Sequence, residues 1–171
     1  MNSTSKKIFL GLTIVVPFLI YCVYYYGMMI KNAPYQYSEL ESITLKYGAG
    51  TGLVNQYDSK TGAYQYLDDK DSLIKTTLRL REKDLKYLHT KARKVGFWNF
   101  PEVLESNDSV GAKNDLHYYL EFKYARKSKR LLFSTGFNRD QQLADAAKSL
   151  VDEVEKSIND AEDRVRRAKT N

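Results

Sequence analysis

Residues 115–124 read Asp115-Leu116-His117-Tyr118-Tyr119-Leu120-Glu121-Phe122-Lys123-Tyr124, the cleanest alternation in the chain. Leu116, Tyr118, Leu120, Phe122 and Tyr124 fall on one side, and His117, Tyr119, Glu121 and Lys123 on the other. Successive side chains of a strand point to opposite faces, so this pattern predicts a strand with one buried and one wetter face. Ala125–Lys129 reads as a turn and Arg130–Thr135 as the returning arm of a hairpin.

The same period appears upstream. Over residues 40–47, Ile43, Leu45 and Tyr47 oppose Ser42, Thr44 and Lys46. Gly48-Ala49-Gly50-Thr51-Gly52 interrupts the pattern, and Leu53–Tyr57 and Ala63–Leu67 resume it, the latter with Tyr64 and Tyr66 on one face. Residues 72–80 make a fourth strand with Ile74, Thr76, Leu78 and Leu80 together. The connecting segments, Asp58–Gly62 and Asp68–Asp71, have turn composition. Spacing this short predicts an antiparallel meander.

Two stretches carry a helical period instead. From Glu82 to Val95, Leu85, Leu88, Ala92 and Val95 form one stripe. Glu82 and Asp84 open this helix, Lys91, Arg93 and Lys94 close it, and Gly96 suits the position just past its end. Phe97, Trp98 and Phe100 follow and are expected to fold back over helix and sheet. A polar loop spans residues 105–114 and includes the sequon Asn107-Asp108-Ser109, which matters only on a eukaryotic secretory route. The last helix is predicted from Arg139 to about Lys169, with Asn138 and Gln141 at capping-box spacing. Its stripe is strong through Ile158 and thin beyond, so five turns should pack and roughly 15 Å should project.

Together these elements give an α+β domain over residues 39–171, of order β-β-β-β-α-β-β-α, with both helices on one face of an antiparallel sheet. Ahead of it, Ile8–Ile30 holds 23 residues without a charge, flanked by Lys6, Lys7 and Lys31. As a helix this run reaches roughly 35 Å, enough for a bilayer core of about 30 Å. No small-x-small pair marks a cleavage site after it, and Cys22 follows Tyr21 rather than the small residue that lipidation needs. The reading is therefore a cytoplasmic stub (residues 1–7), a retained single-pass transmembrane anchor (8–30) and a short tether (31–38). Tyr21, Tyr24, Tyr25 and Tyr26 suit the distal membrane interface. The positive flank sets the N-terminus in the cytoplasm and the domain outside it, in the periplasm if the cell is Gram-negative.

Charge and motif content exclude several classes. Of the net +6, half comes from Lys6, Lys7 and Lys31, because no acid precedes Glu39. The domain is then nearly balanced, unlike a nucleic-acid binder. One cysteine and two histidines leave little for a metal centre. The glycine run precedes a strand rather than a helix and lacks the Lys-Ser/Thr ending, so it reads as a hairpin loop, not a phosphate cradle. Asp68, Asp69 and Asp71 lack the glycine and distal glutamate of a calcium loop. His89 has no Glu or His partner at metalloprotease spacing, and a catalytic role for His117 would need a neighbouring nucleophile or carboxylate that the sequence does not place. No catalytic, cofactor or metal residue is assigned.

What stands out is aromatic: fourteen tyrosines, of which Tyr64, Tyr66 and Tyr119, with Trp98, are candidates for an open binding face. Arg164, Arg166 and Arg167 add a basic helix end suited to an acidic partner or lipid headgroups. The expectation is a membrane-anchored, non-enzymatic module of the cell envelope that binds a protein or envelope component. A structural subunit of a larger membrane complex is the alternative, and a membrane-bound hydrolase or transferase the second.

Overall fold

The strand at the heart of the sequence argument becomes the heart of the sheet. In the computed structural model, which describes residues 3–32, 34–50, 52–106 and 115–170, β6 (Leu116–Tyr124) lies between β1 (Leu40–Ala49) and β7 (Ser128–Ser134). Both pairings are antiparallel, with Leu45 opposite Leu120 and Leu120 opposite Leu131. The meander β1, β2 (Asn55–Asp58), β3 (Ala63–Leu67) and β4 (Leu73–Thr77) continues the sheet to its other edge.

The expected six strands are in fact seven, in the order β4-β3-β2-β1-β6-β7-β5. The added strand is β5 (Val103–Leu104), which runs parallel to β7, so the sheet is not purely antiparallel. A strand of two residues cannot express an alternating period, so no pattern announces it. The fourth strand is also shorter than expected. The chain leaves the ladder at Leu78, whose amide donates to the Gly62 carbonyl at 2.7 Å, and Leu78 turns into the core.

Two helices cover one face. On α2 (Glu82–Lys94) the buried residues are Leu88, His89 and Ala92; on α3 (Gln141–Thr170) they include Ala147, Leu150, Val154, Ile158 and Ala161. They meet Ile43, Leu45, Tyr57, Leu120, Phe122 and Tyr124, all fully buried or nearly so. Burying such side chains is worth about 1.5–3 kcal/mol each before the entropy of ordering the chain is charged against it. Phe97 and Phe100 close the same core, and Gly96 adopts the left-handed conformation (φ +75°) expected past the end of α2.

Details of α3 differ from the sequence reading. Its cap is Asp140, whose carboxylate accepts the Leu143 amide at 3.0 Å; Asn138 lies two residues too early. Packing also runs further. Ala161 is buried, and Arg164 reaches Asp84 of α2 at 2.8 Å, parallel to a second ion pair between Lys91 and Glu153 at 3.2 Å. Beyond Arg164 the residues Val165, Arg166, Arg167, Ala168 and Thr170 are all exposed.

The N-terminal unit, Met1–Tyr35, holds α1 (Ser3–Asn32) and is separate from Gln36–Asn171. Phe9–Met29 is long and apolar enough to cross a membrane, and its apolar side chains are exposed. Tyr37, assigned to the tether by sequence, already belongs to the folded domain: its hydroxyl donates to the Glu82 carbonyl at 3.2 Å. The sequon and most of the polar loop, residues 107–114, lie outside the described residues.

Candidate functional site

The helix-covered face is not closed everywhere. Toward the glycine-rich end of β1, a cleft of about 480 Å³ opens between the sheet and α3. Its floor follows from the ladder. Tyr47 sits opposite Tyr118, their rings stacked with centroids 5.8 Å apart, and Tyr64 lies on β3 in the next row. Ile158, Asn159 and Glu155 of α3 form the opposite wall, and Val54, Leu67 and Leu116 the rim. Leu67 and Leu116 are each about two-fifths exposed, as residues at a mouth should be. The size falls within the roughly 300–1,000 Å³ of small-molecule sites.

The glycines make the end of this cleft possible. A side chain at Gly48 would place its Cβ 1.8 Å from the Gly52 carbonyl oxygen, so the loop can fold against β1 only because nothing is there. Gly50 has φ +62°, a left-handed turn conformation. The hairpin-loop reading of this run therefore accords with its place between two strands, although Thr51 lies outside the described residues. Gln65 supports the loop from the sheet by donating to the Val54 carbonyl at 2.8 Å.

The electrostatics of the cleft centre on Glu155, which the sequence analysis does not single out. It is half-buried, and burial together with Asp152 raises its pKa above the usual carboxylate range. Among the described residues it has no ion-pair partner. Its charge reaches all three tyrosines. Burial first, then Glu155, pushes the Tyr118 hydroxyl up to about 12 and also raises Tyr47. Tyr64 is raised by burial and by the neighbouring Tyr47, with smaller contributions from Glu162, Tyr66 and Glu155. All three therefore remain protonated donors at neutral pH. An i, i+3 or i, i+4 signal does exist: Glu155 sits one turn from Val151 and Ile158 on the apolar stripe, a carboxylate where a hydrophobe is expected.

The residues nominated from sequence do not form one surface. Tyr64 is 6% exposed and faces the helices, not an open side. Tyr66 stacks on it at 4.9 Å, and the two share a shallow groove of about 230 Å³ with Arg166, Glu162 and Val165. Tyr119 lies on the opposite face of the sheet. There its hydroxyl donates to Glu121 at 2.9 Å and Lys46 stands over its ring, in a row that continues through Leu132 to Val103. The expectation that Tyr64, Tyr66 and Tyr119 share one open face thus fails, because an even separation along a strand says nothing about which face another strand presents. Trp98 is half-buried against Phe122 and Tyr124. Arg164 is engaged with Asp84, Arg166 pairs with Glu162 at 3.4 Å, and Arg167 is exposed.

His89 occupies a cage of its own. Nδ1 lies 2.8 Å from the Tyr124 hydroxyl, and the rings of Tyr37, Trp98 and Tyr124 surround it within 6 Å. Burial, then the nearby Arg93 charge, lowers its pKa, so the ring is held neutral. Its surroundings are those of a satisfied core histidine. Among the described residues no group of three or more His, Cys, Asp or Glu could hold a metal ion.

The features above define a mixed α+β domain, with a tyrosine-lined cleft that holds Glu155, in a chain that also carries a helix apolar enough to span a membrane. The chain matches no family model, no curated protein and no solved structure.

Proposed function

We propose that this protein is a membrane-anchored binding module whose domain stands outside the cytoplasm and takes its ligand in the cleft between β1, β3, β6 and α3. The observation that carries the reading is Glu155, a half-buried carboxyl without an ion-pair partner among the described residues, facing three tyrosines in a space of ligand size. A carboxyl in that position costs stability, and groups that cost stability without supporting the fold collect at functional sites. The anchor is supported by Phe9–Met29, and the orientation by Lys6 and Lys7 ahead of it. Binding rather than catalysis is favoured because, among the described residues, the cleft offers no nucleophile paired with a base, and His89 is engaged elsewhere.

The test is site-specific cross-linking in intact cells. A photoreactive side chain at Leu67 or Leu116, on the rim, is expected to give a discrete adduct. One at Lys75, on the other face of β4, is expected to give none. Equal labelling at all three positions, or no adduct at the rim, refutes the cleft as the binding site.

A further inference from the structure

Glu155 is the one charged side chain among the described residues that line the cleft, and two further carboxylates act nearby from α3, of which Glu162 is paired with Arg166. Glu155 acts on Tyr47, Tyr64 and Tyr118; Asp152 stands one turn before it on α3, and Glu162 acts on Tyr47 and Tyr64 from the turns beyond. The chain as a whole carries +6, so this negative character is local. A carboxylate half removed from water gains most from an opposite charge brought to it. Tyr118 is stacked between Tyr47 and Phe133, and Tyr64 on Tyr66, so what these tyrosines offer an ammonium is their hydroxyl oxygens, which accept hydrogen bonds. A bare divalent ion would need several carboxylates converging, and among the described residues no such group exists. Val54, Leu67 and Ile158 supply apolar wall suited to an alkyl stem rather than to a hydrated ion.

Resting on the reading of the cleft as the binding site, we propose that its ligand presents an organic ammonium group on a short aliphatic stem. Glu155 is the counter-ion and Tyr47, Tyr64 and Tyr118 offer their hydroxyl oxygens. Two sources share that chemistry, a free small amine and the side chain of a lysine.

The test is a calorimetric titration of the full-length protein in zwitterionic nanodiscs, with empty nanodiscs as reference. The probes are n-butylammonium, 1-butanol and butyrate. Butylammonium is expected to bind at least about 10-fold more tightly than 1-butanol, with butyrate not binding. Glu155→Gln is expected to remove that preference and leave 1-butanol unchanged, while Glu155→Asp keeps it within about 3-fold. Circular dichroism checks that each variant is folded. If Glu155→Gln is not, the comparison of butylammonium with 1-butanol on the unaltered protein still decides. Equal binding of the two, no binding of either, or an unchanged preference in a folded Glu155→Gln variant overturns the proposal. A lysine-centred tripeptide that binds more tightly than butylammonium identifies a polypeptide source, and one that binds less tightly a free amine. If the ammonium preference is absent while the rim cross-links persist, the ligand class alone is wrong. If both are absent, the cleft reading falls with it.

Discussion

Tyr124→Phe removes one oxygen from the best-defined polar contact in the core. The ring stays, so its packing against Trp98 and His89, at centroid distances of 5.7 and 5.9 Å, is kept. What is lost is the partner 2.8 Å from His89 Nδ1, in a site where the histidine is 7% exposed. Leaving a buried polar atom without a partner costs about 1–3 kcal/mol. For a folded unit of this size, each kcal/mol lowers Tm by about 4 °C, so the expected fall is roughly 4–12 °C. The assay is near-ultraviolet circular dichroism of the full-length protein in mild detergent at about pH 8, where the histidine is neutral in both states. His89→Leu/Tyr124→Phe serves as the partner measurement. With both polar groups gone, the double variant should cost less than the sum of the two single ones. A Tyr124→Phe shift below about 1 °C, or strict additivity, refutes the claim that this bond is a structural element of the core.

Four further outcomes follow from the same structure. Because the folded-state pKa of Glu155 is raised, the folded chain holds its proton more tightly, and the stability this provides is lost as pH rises through that value. Glu155→Gln should therefore raise Tm near pH 7, with the gain vanishing by about pH 4 in a thermal melt series. His89 has the opposite sign: its lowered pKa means the unfolded chain binds the extra proton first, so stability falls as pH drops below about 6.5, and His89→Leu should remove that part of the slope. Asp140→Ala should cost about 1 kcal/mol in denaturant unfolding, whereas Asn138→Ala should cost less than about 0.3 kcal/mol; equal costs would restore the earlier cap. Gly48→Ala forces backbone apart at a 1.8 Å approach and should cost roughly 1–3 kcal/mol by the same measurement.

Much of the architecture could be read before any coordinates, for a physical reason. The long strand 116–124, the meander and both helices each bury one face, and a half-buried element writes its period into the sequence. The strand β5 is too short to do so, and the cap of α3 was misplaced because Asn138 and Asp140 are both good caps two residues apart. The length of packed helix was underestimated because Ala161 is small yet fully covered, and because an arginine, Arg164, ends the interface through Asp84. The site was less legible still. Tyr64 and Tyr66 were rightly put on one face, but which face is a tertiary fact, fixed by the pairing of Tyr57 with Tyr64 and of Leu45 with Tyr57. Glu155 carried a usable signal, a carboxylate on the apolar stripe, that charge counting alone dilutes. The end of the cleft depends on Gly48 and Gly52 approaching each other, a local fit that the glycine run marks as a loop, whereas the wall facing it comes from α3, more than a hundred residues on, which no local pattern encodes.

The central claim is an uncleaved anchor holding this domain outside the cytoplasm, and one experiment addresses it directly. A C-terminally tagged chain is expressed in its own cells, protease is added before and after any outer barrier is opened, and the membrane-bound product is weighed intact. The account predicts the full 19.8 kDa plus tag in the membrane fraction, with the tag removed by protease while a cytoplasmic marker survives. A product short by the apolar segment, or a tag protected until the inner membrane is broken, would contradict it.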